Sequence, residues 1–177
     1  YQVTGVQTCA LPILRTTIHE CLGSKTTLVR TDYQLPDAPK TVQKLLVDTR
    51  LQNLFVADNE GKIHYYDIRE PANARYVEAV TVVAPGQKVS ALEFLVGSVS
   101  LIIGSTDGNI SQWFLVRDEH NNFHLTHIRD FDQHPGAITQ IEPEYSRKGF
   151  MAIDDQGYVG IHYATSARTL MLEPLAK

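Results

Sequence analysis

Apolar residues along this chain come in short alternating runs separated by polar turns. The runs are Leu45-Leu-Val-Asp48, Leu54-Phe-Val-Ala-Asp58, Ile63-His-Tyr-Tyr-Asp-Ile68, Val89-Ser-Ala-Leu-Glu-Phe94, Ser100-Leu-Ile-Ile-Gly104 and Ile110-Ser-Gln-Trp-Phe-Leu-Val116. Each is rich in β-branched and aromatic residues and bounded by turn formers, which is the pattern of a β-strand. No segment carries a helical period. Many short strands with polar turns between them predict an all-β sandwich, barrel or propeller.

Internal repetition selects among the three. Asn59-Glu-Gly-Lys-Ile-His-Tyr-Tyr66, Thr106-Asp-Gly-Asn-Ile-Ser-Gln-Trp113 and Asp155-Gln-Gly-Tyr-Val-Gly-Ile-His162 superpose on their glycines, Gly61, Gly108 and Gly157, at spacings of 47 and 49 positions. Each hairpin follows an apolar strand that ends in a small or acidic residue: Leu54–Asp58, Leu101–Ser105 and Phe150–Asp154. A repeat of roughly 40 to 50 residues suits a four-stranded propeller blade. The glycines read as structural turn markers. A two-residue hairpin turn that matches strand twist needs a positive φ, which glycine tolerates because it has no Cβ.

The strand ahead of each hairpin, Thr41–Val47, Lys88–Phe94 or Ala137–Pro143, is assigned as the innermost of its blade, and Arg75–Val80, Phe123–Ile128 or Arg168–Glu173 as an outer one. The fold expected is therefore all-β, a partial β-propeller of about three four-stranded blades at 41–87, 88–136 and 137–177. Residues 14–40 are expected to hold outer strands of a preceding blade, turning at Gly23-Ser24, and a linker at Pro36-Asp-Ala-Pro39. Three blades do not close a ring of the usual four to eight, so open sheet faces are expected at the ends.

Residues 1–13 are set apart. Val3-Thr-Gly-Val-Gln-Thr-Cys-Ala-Leu-Pro-Ile13 is the translation of a common sequencing-library adapter, so the segment is expected to be an artefact with no domain. On that reading Cys9 is no protein cysteine, and Cys21 alone offers neither an internal disulfide nor a metal cluster. Sixteen basic against twenty acidic residues give a net charge of −4, with both signs scattered. That distribution carries no footprint for nucleic acid or an anionic membrane. The most apolar run, Phe94–Ile103, is too short and too interrupted to cross a bilayer, so no transmembrane segment is expected.

The candidate chemistry is sparse. His120, His124 and His127 are the closest group of histidines, but positions 124 and 127 of a strand face opposite sides, so solvated hairpin residues are expected rather than a metal site. Asp132 and His134 stand just before an inner strand. In WD-repeat propellers a histidine so placed supports the blade through hydrogen bonds, and Trp113 resembles the end of such a repeat. All three are read as blade-supporting. Asp154 and Asp155, adjacent in a turn, are expected to face solvent. Arg69, Arg117, Arg129 and the pair Arg147-Lys148 near strand ends are candidates for an anion-binding rim at one mouth, with a solvated face as the plainer reading. Tyr65, Tyr66, Trp113, Phe114 and Tyr163 occupy matched repeat positions, where packing between blades explains them. No nucleophile elbow, phosphate loop or His-Glu-x-x-His motif is present, so neither catalytic residues nor a cofactor are assigned.

Several phrases resemble one family. Ser111-Gln-Trp-Phe-Leu-Val-Arg-Asp118, Leu125–Phe131, Ile138–Pro143, Arg147–Phe150, Leu51–Ala57 and Ala164–Leu170 are similar to the extra domain of large phosphate-type ABC transporter permeases, over most of residues 41–175. The resemblance implies a periplasmic, non-catalytic accessory region of a bacterial inner-membrane permease subunit. It also implies neighbours: the permease core, other transporter subunits and a solute-binding protein. The permease helices are absent from this sequence, and no substrate-binding residue carries over. Two other readings stand beside it: a soluble WD-repeat-like scaffold for protein partners, and a propeller enzyme with ligands converging on the central channel.

Overall fold

The computed structural model describes residues 13–22, 25–95, 97, 100–144, 149–166 and 168–174, with side chains from residue 34 onward. Among the described residues there are fourteen strands: β1 (Ile13–Leu22), β2 (Lys25–Gln34), β3 (Lys44–Val47), β4 (Asn53–Ala57), β5 (Lys62–Asp67), β6 (Arg75–Thr81), β7 (Val89–Phe94), β8 (Ser100–Ser105), β9 (Ile110–Arg117), β10 (Phe123–Asp130), β11 (Ile138–Pro143), β12 (Gly149–Asp154), β13 (Val159–Tyr163) and β14 (Thr169–Leu172). One 3₁₀ turn, Pro71–Asn73, joins β5 to β6.

After the β1–β2 hairpin, the strands form three antiparallel four-stranded sheets in sequence order: β3 to β6, β7 to β10 and β11 to β14. This all-β architecture agrees with the repeat period. The sequence places the start of the first inner strand at Thr41, whereas β3 begins at Lys44. The preceding residue, Gln43, still donates its N–H to the Ala57 carbonyl at 2.7 Å.

Strand alternation lets each sheet use both faces. On β4, Phe55 and Ala57 face the second sheet, and Leu54 and Val56 face the other way. Phe55, Ala57, Ile63 and Tyr65 pack with Leu101, Ile103, Trp113 and Leu125 of the second sheet. On the far side of that sheet, Ala91, Ile102 and Ile110 pack with Ile138, Ile141, Phe150 and Ala152 of the third. Leu35, Ala38 and Val42, from the segment leading into β3, cover Leu54, Val56 and Tyr66. Burying aliphatic and aromatic side chains on both faces is what holds such a stack, at about 1.5 to 3 kcal/mol per large apolar side chain.

The glycine turns differ in one respect from a two-residue hairpin. Asp58 N–H donates to the Lys62 carbonyl, Ser105 to that of Asn109 and Asp154 to that of Tyr158, so each loop holds three residues with the glycine last. Gly61, Gly108 and Gly157 have φ of 80°, 83° and 89°. This is a type I turn closed by a left-handed residue, a position that glycine adopts without a Cβ penalty.

Candidate functional site

Asp58, just past the end of β4, and Ser105 and Asp154, the last residues of β8 and β12, each sit two positions before the first free turn amide. Asp58 Oδ1 accepts the N–H groups of Glu60 and Lys62 at 2.8 and 2.9 Å. Asp154 Oδ1 accepts those of Gln156 and Tyr158 at 3.0 and 2.8 Å. At Ser105 the hydroxyl bonds to the Asp107 carboxylate instead. Burial works to raise the Asp58 carboxyl, but the bond to His64 Nε2 and the two backbone donors outweigh it and hold it below the usual range. The turn glycine is locked as well. Its carbonyl accepts the N–H of the connector to the next blade, Val82 at Gly61 and His134 at Gly108.

That connector carries His134 into the interface between the second and third blades. His134 is buried, and its Nδ1 lies 3.6 Å from Asp154 Oδ2, which also accepts the Gly136 N–H. Its Nε2 lies 3.2 Å from Nε2 of His162 on β13, and His162 Nδ1 is 3.3 Å from Thr169 Oγ1. The His162 ring stacks on Phe150 at 4.9 Å and meets the edge of Phe131. Gly160 leaves room for both imidazoles, since a Cβ there would strike both Nε2 atoms. Burial, followed by the neighbouring His134, pulls His162 down to about 4, and burial lowers His134 too. Both rings are thus neutral at pH 7, and the cluster is a packed polar lock between blades.

The sequence placed Asp132 beside His134, but Asp132 is exposed, and the carboxylate at the imidazole belongs to Asp154. Asp154 is itself a correction to the solvent-facing reading of the Asp154-Asp155 pair: Asp154 is buried and Asp155 exposed. His162 was missed as a polar group. Superposing the glycines puts it at the position of Tyr66 and Trp113, the signal that finds it. Trp113 is buried and donates its Nε1–H to Ser111 Oγ at 2.8 Å. Tyr65 and Tyr66 are buried with it, Phe114 is half-buried, and Tyr163 is exposed, contrary to a packing role. His120, His124 and His127 are exposed. Among the described residues, no group of three or more His, Cys, Asp or Glu side chains is placed to hold a metal ion.

The rim arginines separate. Arg129 is consumed within the fold: it donates to Gln112 Oε1 and to the carbonyls of Tyr163 and Ala164, and its guanidinium lies 4.6 Å from the Phe131 ring centre. Arg147 and Lys148 lie outside the described residues. Arg69 and Arg117 line one groove together with Arg75. This groove, of about 530 Å3, runs between the outer strands of the first and second blades, at the end away from the glycine turns. Its lining holds three guanidinium groups against one carboxylate, Asp67. Asp67 pairs with Arg69 at 2.5 Å and with Arg75 at 3.4 Å, and the Arg69 bonds hold it below the usual carboxylate range. The Arg117 guanidinium lies 4.9 Å from the Phe123 ring centre, and no carboxylate pairs with it among the described residues. The two walls are tied by Glu78 on β6, which accepts the Leu125 N–H at 2.6 Å and meets His124 Nδ1 at 3.1 Å. Glu78 and Asp118 raise the His124 pKa.

No family model matches the chain, and no curated protein matches it. Solved structures do. The β-propeller domain of Myceliophteria thermophila Cps50 (Swd1) superposes with a TM-score of 0.66 at 13% identity, over 92% of this chain and 53% of that one. The structures of U3-55K and of the RRP9 WD40 repeats each superpose with a TM-score of 0.61 at 12% identity, over 76% of this chain and 39% of theirs. The chain therefore spans about half or less of the length of these structures, and at such identities the likeness concerns the fold. Three antiparallel four-stranded sheets, stacked face to face and superposing on the WD40 propeller structures, give this chain the fold of a partial β-propeller.

Proposed function

We propose that this chain is a non-catalytic protein-interaction module, and that it docks an acidic segment of a partner in the groove between its first two blades. The observation that carries the reading is the Arg69, Arg75 and Arg117 cluster, gathered from two blades into one concave site in a chain whose net charge is −4. A guanidinium held over an aromatic ring keeps its N–H donors free for a carboxylate, as Arg117 does over Phe123. The walls add half-buried Tyr76 and exposed Phe123, aromatic groups of the kind that anchor protein interfaces. The superposed WD40 domains support the same class of function through their fold.

The placement in the periplasm, beside the permease core of a phosphate import system, is a finer reading. It rests on the resemblance of the sequence phrases alone, and the superposed structures add nothing to it, so the scaffold reading is the one adopted. The test is photo-crosslinking from position 123 in the protein made in its source cells. We expect one protein adduct, lost when Arg117→Glu is added; adducts insensitive to that charge reversal would contradict the proposal.

A further inference from the structure

His124 lines the arginine groove, and each of its ring nitrogens faces a carboxylate. Nδ1 lies 3.1 Å from Glu78 Oε2 on β6, and Nε2 lies 3.2 Å from Asp118 Oδ2 in the turn between β9 and β10. A neutral imidazole carries one N–H, so it donates to one of these carboxylates and sets a lone pair against the other. Only the imidazolium donates to both. Because Glu78 belongs to the first blade and Asp118 to the second, the ring is a clasp between blades that is complete only when protonated.

Both carboxylates also shape the groove itself. Glu78 Oε1 accepts the Leu125 N–H, which ties β6 to β10. Asp118 Oδ1 accepts the N–H groups of His120 and Asn122 at 2.9 and 2.7 Å, fixing the turn that Arg117 enters and Phe123 leaves. Glu119 and His120 of that turn are exposed. The remaining charged groups of the lining are Asp67, Arg69 and Arg75, and both arginines pair with Asp67. Tyr65 and Tyr76 line it too, and burial raises both phenols, so neither ionises near neutral pH.

We propose that the proton on His124 gates the groove: an acidic segment docks while the ring is imidazolium and is released when the ring becomes neutral. The inference rests on the docking reading and names how that same site is regulated. With the proton present, His124 offsets one of its two carboxylate partners. Without it, Glu78 and Asp118 stand uncompensated beside the groove, repel an incoming carboxylate, and one of them loses its bond to the ring. Glu78 and then Asp118 raise the His124 pKa from its ordinary 6.5, so the gate closes above pH 6.5 rather than in the acid range. By reciprocity, a docked acidic segment holds the proton more firmly.

The test is a binding titration at pH 6 and pH 9 with a rhodamine-labelled hexaglutamate peptide, whose side chains are ionised at both. The protein is purified from its source cells as wild type and as the His124→Gln, His124→Arg and Arg117→Glu variants. We expect the wild type to bind roughly fivefold more weakly at pH 9 than at pH 6, the scale of one unit charge beside the site. His124→Gln should bind weakly at both, and His124→Arg, which keeps its charge, should bind tightly at both. Binding that depends on Arg117 but is equal at the two pH values overturns the gate and leaves the docking reading standing. A pH dependence that survives in His124→Gln also overturns the gate. Absence of Arg117-dependent binding at pH 6 overturns the docking reading, and the gate with it.

Discussion

His134 Nε2 and His162 Nε2 face each other at 3.2 Å across the second and third blades, and both side chains are buried. One ring donates its Nε2–H and the other accepts, so the contact exists while both are neutral. The acidic groups nearby are Asp154, 3.6 Å from His134 Nδ1, and exposed Asp132, whose field acts on His162.

The stability of the chain is expected to fall with acidification. Above pH 6.5 His162 is neutral in both folded and unfolded states and contributes no pH dependence. As the pH drops from 6.5 toward about 4, the unfolded chain binds a proton that the folded chain excludes, so stability is lost through that window. The loss attributable to this histidine is of the order of 3 kcal/mol. Urea midpoints at pH 7 and pH 5 capture roughly 2 kcal/mol of it. The His162→Phe variant should show a smaller change between the two, and an equal change would assign the pH dependence elsewhere.

Two glycines with nearly equal φ should respond differently to alanine. Gly86 (82°) has open space where a Cβ would stand, so Gly86→Ala meets left-handed backbone strain alone, about 1 to 2 kcal/mol. Gly108 (83°) would drive its Cβ into the carbonyls of His134 and Gly136, so Gly108→Ala is expected to cost roughly 1 to 3 kcal/mol more. Thermal unfolding of the two variants compares them directly.

The two adjacent turn carboxylates should also part company. Asp154→Ala removes the acceptor for the N–H groups of Gly136, Gln156 and Tyr158 and is expected to destabilise by roughly 2 to 4 kcal/mol. Asp155→Ala removes one exposed bond, to the Ala137 N–H, and should cost about 1 kcal/mol or less. Equal effects on the denaturation midpoint would show that Asp154 is not the structural acceptor.

The fold was legible because two local signals coincide in every repeat: strand alternation, and a glycine where the turn demands positive φ. Phe55 and Ile102 illustrate it, since each follows from its offset to the glycine ahead. The polar lock was less legible. Nothing local in Asp154-Asp155 says which carboxylate turns inward, because that is decided by the His134 connector arriving from another blade. His162 was hidden for a related reason: it fills a site that Tyr66 and Trp113 fill with larger rings, and Gly160 and His134 make up the difference. The arginine groove required three-dimensional information outright. Arg69 and Arg117 are far apart in sequence, and Arg129, which reads the same way, is spent on carbonyls of the third blade.

The claim that the groove between the first two blades docks an acidic segment is tested most directly by binding. The partner recovered by crosslinking from position 123 is titrated against the wild-type protein and the Arg117→Glu variant, with thermal unfolding as the control for folding. We expect the variant to bind about tenfold more weakly or worse, with weakening by salt, at an unfolding temperature close to that of the wild type. Equal affinity for the two proteins, at equal stability, would contradict it.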